Sequence, residues 1–179
     1  MEDLEVYKFW HIGQKKWMEY DGPYYQKPSI QEIENKIKKI KERISHQNWQ
    51  IPRKRLVIAT KEENKFIGTV SWYWQSKETN WKSIGIAIYN EKYWGKGIGY
   101  ESLNLWIEYL FKECKNIVRL DLRTWSGNEN MIKLSKKLGF KEEARFRMAR
   151  IVNDKYYDSI GMGILRKEWE EGKKENQKK

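Results

Sequence analysis

Apolar and polar residues recur with helical spacing in the first part of the chain. Residues 5–20 carry apolar side chains three or four positions apart, which predicts a first helix that ends at the turn Asp21–Pro23. Ser29 and Glu32 have the spacing of a capping box, and the isoleucines that follow form one stripe up to about His46. We therefore expect a second helix with a lysine-rich outer face.

The central part of the chain changes to the period of two that is typical of strands. Arg55 to Thr60 predicts a short strand, which a turn at 62–65 joins to a longer one. The longer strand alternates, and its predicted inner face carries Phe66, Gly68, Val70, Trp72 and Trp74. The apolar run Ile84–Tyr89 then predicts a buried strand.

The second half of the chain alternates between the two periods. A helix with a face from Leu103 to Cys114 precedes a strand at 117–124 and a helix at 128–138, which Gly139 ends. A terminal hairpin turns at Asn153 and Asp154. The order predicts a mixed α/β fold with one domain at residues 1–166, followed by a charged, frayed tail at 167–179.

Composition narrows the classes of function. The net charge is +11, but basic and acidic residues are interleaved, which disfavours a nucleic-acid stripe, although Trp72-Tyr73-Trp74 keeps that hypothesis open. The sequence has no apolar run long enough for a membrane span and no secretory pattern at its start, so we expect a cytoplasmic protein without membrane partners. The single cysteine and the two distant histidines predict no metal site.

A glycine-rich segment stands between the buried strand and the third helix. It reads Trp94-Gly95-Lys96-Gly97-Ile98-Gly99. Glycine lets the backbone approach a phosphate closely, and the first amides of a helix attract anions. Such a segment alone is equally typical of a tight turn without a ligand.

Two segments, Ile86–Ser102 and Thr124–Phe140, resemble the acetyl-CoA motif and the downstream asparagine motif of the GCN5-related N-acetyltransferase (GNAT) superfamily. The resemblance implies a central, mostly antiparallel, splayed sheet flanked by helices. Its usual first strand would be missing or very short in this chain. Tyr93–Gly97 and the ending Gly163–Trp169 look most like the branch of the ribosomal-protein alanine acetyltransferases, which also contains enzymes that act on small amines.

The resemblance implies an enzyme that uses acetyl-CoA as co-substrate, and it implies a set of site residues. An amide near Ile88 would bind the oxyanion. Ser135 stands where many members have a general-acid tyrosine, and Arg123 stands where some have a glutamate base, so no base is assigned. The residues expected to bind the cofactor are Ala87, Ile88, Tyr89, Gly95, Lys96, Gly97, Ile98, Gly99, Tyr100 and Asn128.

The acceptor side is predicted from aromatic residues, since the chain has ten tryptophans. They serve either core packing or an aromatic pocket for a cationic amine, with Asp21 as counter-charge. The candidates are Asp21, Tyr24, Tyr25, Trp72, Trp74 and Trp125. We expect acetyl transfer to a primary amine of a small molecule. The alternatives are a protein N-terminus as acceptor and a non-catalytic module that binds nucleic acid or CoA. A homodimer also remains open.

Overall fold

A computed structural model of the protein describes residues 2–47 and 49–176. One six-stranded sheet forms its centre, with the strand order β1-β2-β3-β4-β6-β5. All neighbouring strands are antiparallel except β3 and β4, which are parallel. The strands are β1 (Arg55–Ala59), β2 (Phe66–Ser76), β3 (Trp81–Ile88), β4 (Arg119–Trp125), β5 (Lys141–Val152) and β6 (Lys155–Leu165).

Five α-helices of the described residues cover the two faces of the sheet. They are α1 (Glu2–His11), α2 (Ile30–Ser45), α3 (Ile98–Glu113), α4 (Glu129–Lys137) and α5 (Arg166–Asn176). The larger core packs α3 against the strands, and a smaller core on the other side joins α1 and α2 to Trp17, Phe66 and Tyr89. The predicted capping box of α2 is present, with Ser29 accepting from the Glu32 amide.

The first predicted helix is too long. The structure ends α1 at His11, and a separate 3₁₀ turn follows at Lys16–Glu19. Gly13 lies between them with φ of +72°, a left-handed conformation that an α-helix cannot contain. Residues 2–47 contain no strand.

The tail at 167–179, which the sequence predicts to be frayed, is helical over residues 167–176, where it belongs to α5. Trp169 packs into the larger core. Arg166 donates to the carbonyl oxygens of Phe111, Cys114 and Ile117 at 2.8, 2.7 and 2.9 Å, so it satisfies backbone acceptors in the last turn of α3 and just after it. The charged sequence pattern does not predict the contacts of Trp169 and Arg166, because both residues contact parts of the chain that are distant in sequence.

The predicted alternation of β2 also breaks at one point. Gly68 pairs with Ile58, but Phe66 pairs with Ala59, so Ile67 is an extra residue in β2. Phe66 therefore packs into the smaller core, whereas Val70 and Trp72 lie in the larger core on the opposite face. The bulge puts residues of the same predicted face on different sides of the sheet.

Candidate active site

The parallel strands β3 and β4 pair only at their beginnings, where Lys82 aligns with Leu120 and Ser83 with Asp121. Asp121 holds this end together, since it accepts hydrogen bonds from the Ser83 hydroxyl and from the Trp81 indole. Beyond this point the strands separate, and a cavity of about 460 Å³ opens between them. We call it the wedge cavity. Its walls are residues 84–88 of β3, residues 122–125 of β4, and parts of the glycine segment and α4.

Backbone groups of β3 are divided between β2 and the wedge cavity. The Tyr89 amide donates to the Ile67 carbonyl oxygen at 2.9 Å. Because alternate residues of a strand direct their polar groups to opposite neighbours, Ala87 and Tyr89 face β2, whereas Ile86 and Ile88 face the wedge. The Ile88 carbonyl there accepts from the Trp94 indole at 2.8 Å. By the same strand geometry the Ile88 amide is directed away from β2 and toward the wedge.

This division changes the predicted backbone roles. The sequence predicts an oxyanion donor near Ile88, and the Ile88 backbone faces the wedge. The polar backbone groups of Ala87 and Tyr89, which were predicted to bind the cofactor, face β2 instead. Ala87 contributes its side chain to the wedge cavity, and Tyr89 lines a different cavity, with its hydroxyl 3.0 Å from Thr69 Oγ1. Ile86 was not among the predicted residues, because the sequence does not reveal which parity faces β4.

The glycine segment forms one end of the wedge cavity. Gly95 and Gly97 have φ of +71° and +81°, and a Cβ added to either residue would meet no atom within 4 Å. Protein packing therefore does not require these glycines, whereas the left-handed backbone does. The space beside them continues into the cavity.

Gly97 is also the N-cap of α3, and within residues 2–47 and 49–176 no side chain caps this end of the 16-residue helix. Its first amides and the positive end of its dipole thus remain available to an anion at the cavity. Gly99 has a packing role as well, since an added Cβ would lie 3.2 Å from Leu134 Cδ2. Of the other predicted residues, Tyr100 lines the wedge cavity, while Lys96 and Ile98 line a separate cavity beside β1.

A second cavity, of about 280 Å³, lies on the other side of β3. We call it the second cavity. Residues of α1, α2, β1 and β2 form its walls together with the segment 21–28. Asp21 and residues 85–87 line both cavities, so the two meet there. Although Asp21 is open to the solvent of both cavities, surrounding protein desolvates its carboxyl and raises its pKa, against the opposing influence of Arg55.

Two side chains hold the segment that carries Asp21. The Tyr20 carbonyl oxygen accepts from Trp125 Nε1 at 2.9 Å and from Asn128 Nδ2 at 3.1 Å. Asn128 also caps α4, because its Oδ1 accepts from the Met131 amide at 3.1 Å. The residue predicted to contact the cofactor therefore lines the wedge cavity and at the same time positions the junction of the two cavities.

The aromatic acceptor candidates are divided by the structure. Tyr24 and Trp125 line the wedge cavity, and Tyr25 lines the second cavity. Trp72 and Trp74, which were also predicted for the acceptor pocket, line neither the wedge cavity nor the second cavity. They lie on the α3 side of β2, where the Lys82 ammonium is 4.8 Å from the Trp72 ring centroid and 3.3 Å from that of Trp74.

Ser135 is fully buried and does not line either cavity. Its hydroxyl donates to the Ile132 carbonyl oxygen at 2.9 Å, within the same helix. The structure therefore does not bring Ser135, the residue predicted as catalytic, to either cavity, because a serine is too short to reach beyond the helix surface where a tyrosine would extend. Arg123 lines the wedge cavity and lies 4.0 Å from Asp121.

His11, Lys36 and Arg55 are site residues that the sequence did not indicate, and all three line the second cavity. They lie in three different elements, so no local pattern connects them. His11 Nδ1 donates to the Tyr7 carbonyl oxygen at 2.8 Å, because a carbonyl can only accept. Burial, and then Lys36 and Arg55, lower the pKa of His11 to about 4, so its ring is neutral at neutral pH.

Two further properties concern residues 2–47 and 49–176 only. These residues contain no cluster of three or more histidine, cysteine, aspartate or glutamate side chains with the arrangement of a metal site. None of their helices combines the length and the hydropathy that a membrane crossing requires.

Comparison with known proteins gives a family and a fold. A family model described as an acetyltransferase (GNAT) domain matches residues 1–141. The SPbeta prophage-derived uncharacterized N-acetyltransferase YokL of Bacillus subtilis is 27% identical over 113 residues, and the match covers 63% of each protein. The chain thus spans less than two thirds of the length of that curated relative.

Solved structures resemble the whole described fold. The spermidine N-acetyltransferase from Vibrio cholerae, in complex with CoA and spermine, has a TM-score of 0.73 at 22% identity, over 94% of this chain and 92% of that one. A ribosomal-protein-S5-alanine acetyltransferase from Vibrio fischeri has a TM-score of 0.62 at 24% identity, over 82% and 80% of the two chains. The predicted mixed α/β fold with a mostly antiparallel, splayed sheet is confirmed, and no narrower branch is singled out.

Proposed function

We propose that this chain, which belongs to the GNAT acetyltransferase family, transfers the acetyl group of acetyl-CoA to a primary amine of a small molecule. Acetyl-CoA is the co-substrate of the family. One observation carries the proposal: the wedge cavity and the second cavity meet at Asp21 and residues 85–87. A donor in the first and an acceptor in the second would come together at that junction.

The wedge cavity fits the chemistry of the donor. Its open space beside Gly95 and Gly97 and the uncapped start of α3 suit a phosphate group. From there the cavity continues along β3 to Ile88, which suits an extended arm. Acetyl-CoA supplies an acyl group activated as a thioester. The Ile88 amide would donate a hydrogen bond to the oxygen that gains charge during transfer, an interaction that contributes about 2.7–4 kcal/mol in comparable sites.

Asp21 is the residue best placed to remove a proton from the acceptor. An amine attacks only through its lone pair, so the ammonium must lose one proton before the carbon–nitrogen bond forms and another afterwards. Desolvation raises the pKa of Asp21, which makes its carboxylate a stronger base than an aspartate with its ordinary pKa. Its position at both cavities lets it reach an amine that enters from the second cavity.

The experiment that tests this function measures release of the CoA thiol from acetyl-CoA with a panel of acceptors. The panel contains amino acids, polyamines, aminoglycosides and short peptides. We expect release that depends on both substrates and saturates with one class of small amine. Absence of release with every amine, together with no thermal stabilisation by millimolar acetyl-CoA, would contradict the proposal.

The two alternatives are tested by the thiol-release assay and by thermal stabilisation, respectively. A peptide that begins with alanine tests N-terminal acetylation, which the resemblance to the ribosomal-protein branch predicts. An oligonucleotide tests the binding-module hypothesis through thermal stabilisation in place of acetyl-CoA. The modest volume of the second cavity, about 280 Å³, favours a small acceptor over a polypeptide.

A further inference from the structure

The second cavity carries an excess of positive charge. Lys27, Lys36 and Arg55 line it, whereas Asp21 is the one carboxylate in its lining within the described residues. In the ranges 2–47 and 49–176, none of these three cations forms an ion pair within 4.0 Å. Cations that face a cavity without carboxylate partners favour an anionic ligand group.

Arg55 is the centre of this positive charge. Its guanidinium donates through Nη1 to Thr69 Oγ1 at 3.4 Å, a long bond that leaves most of its donors to the cavity. The charge of Arg55 acts on two titratable groups of the cavity. It helps to lower the pKa of His11, and it partly offsets the rise that desolvation causes in the pKa of Asp21. A guanidinium binds a carboxylate or a phosphate through two parallel hydrogen bonds.

Two of the predicted acceptor rings that line the cavities, Tyr24 and Tyr25, already lie beside a cation of the protein itself. The Arg150 guanidinium lies 4.6 Å from the Tyr24 ring centroid and 5.9 Å from that of Tyr25. A polycationic acceptor would therefore compete with Arg150 for these two rings and would meet the like charges that line the second cavity.

We infer, on the premise of the proposed function, that the acceptor is a small amine that also carries an anionic group, a carboxylate or a phosphate. Arg55 binds the anionic group, with Lys36 and Lys27 adding positive charge beside it. The amine end reaches Asp21 at the junction with the wedge cavity. The opposite charges of Asp21 and Arg55 thus orient a zwitterion along the cavity.

The test compares matched acceptors in the thiol-release assay. The first set contains amino acids with amino and carboxyl groups at increasing separation, the second their neutral amides, and the third the corresponding diamines. Ethanolamine phosphate and ethanolamine separate phosphate from carboxylate recognition. For the wild type we expect kcat/KM of the best anionic amine to exceed that of its neutral counterpart by about tenfold to a hundredfold, the effect of a charged hydrogen bond.

Two variants assign this preference to Arg55. Arg55→Gln should reduce the ratio of kcat/KM between the anionic and the neutral acceptor to near one, and Arg55→Lys should restore part of it. Arg53→Gln is the matched control, because Arg53 also lies at the start of this edge of the sheet but its guanidinium stacks on Trp49. The control should keep the wild-type ratio.

The inference and the proposed function fail in different ways. Turnover of neutral amines or diamines at or above the rate of anionic amines would overturn the inference while supporting acetyl transfer. A higher KM for acetyl-CoA in Arg55→Gln would overturn it too, because Arg55 would then serve the donor. Lack of turnover with every acceptor would instead overturn the proposed function.

Discussion

Replacing Gly97 by valine tests whether acetyl-CoA binds at the glycine segment. The same substitution at Gly13 is a matched control. The two glycines have φ of +81° and +72°, and a Cβ added to either meets no atom within 4 Å. The backbone strain of valine is therefore similar at both positions, about 1–2 kcal/mol. For a protein of this size we expect either variant to lower Tm by about 2–8 °C.

The two variants should differ in donor binding. Gly97 lines the wedge cavity at the start of α3, whereas Gly13 lines neither the wedge cavity nor the second cavity. A valine at position 97 places its methyl groups where a phosphate would approach the amides. Loss of one charged hydrogen bond weakens binding by about tenfold to a hundredfold, so the Kd for acetyl-CoA should rise at least by that factor.

Isothermal titration of acetyl-CoA into the wild type, Gly97→Val and Gly13→Val measures the difference directly. Thermal unfolding of the same samples verifies that both variants are folded and similarly strained. Equal Kd values for the two variants, at equal loss of stability, would refute the placement of the donor phosphate at the glycine segment.

Three further predictions concern single residues. Asp21→Asn should lower kcat by about 10²–10⁴-fold. Because folding raises the pKa of this carboxyl, its stabilising effect is lost as pH rises, so the asparagine variant should be more stable than the wild type at neutral pH but not near pH 3. Equal pH–stability curves would contradict this. His11, with its pKa lowered to about 4, should destabilise the wild type as pH falls from about 6.5 to 4, and His11→Gln should flatten that part of the urea-denaturation profile. Trp169→Ala should reduce the free energy of unfolding by about 3–5 kcal/mol, whereas a frayed helix α5 would show no change.

Local signals predicted the parts of the fold that depend on neighbours in sequence. The capping box of Ser29 and Glu32 and the N-cap at Asn128 are both present. Each involves atoms within three residues, so the residue types alone determine the interaction. The glycine segment belongs to the same class, because a left-handed backbone at Gly97 is a property of a single residue.

Sequence and structure differ where the outcome depends on strand register or on distant contacts. The number of tryptophans predicts Trp72 and Trp74 in the acceptor pocket, but their parity in β2 directs both to the α3 side. A single bulged residue, Ile67, is enough to change which face a side chain occupies. Helix α5 was missed because the partners of Arg166 lie about fifty residues away in sequence.

The residues that line the second cavity could not be predicted from the sequence for the same reason. His11, Lys36 and Arg55 come from α1, α2 and β1, and only the fold brings their charges together. The sequence indicated a donor through two local motifs, while the acceptor side depends on side chains with no common motif. An aromatic count therefore suggested a cationic acceptor, whereas the assembled charges favour an anionic amine.

The central claim is acetyl transfer across the junction at Asp21. Its most direct test is the steady-state rate of CoA thiol release from acetyl-CoA as a function of amine concentration, in the wild type and in Asp21→Asn. We predict a saturable rate that requires both substrates in the wild type and falls at least about a hundredfold in the variant. Wild-type and variant proteins that release thiol at the same rate, or a wild type that releases none with any amine, would contradict it.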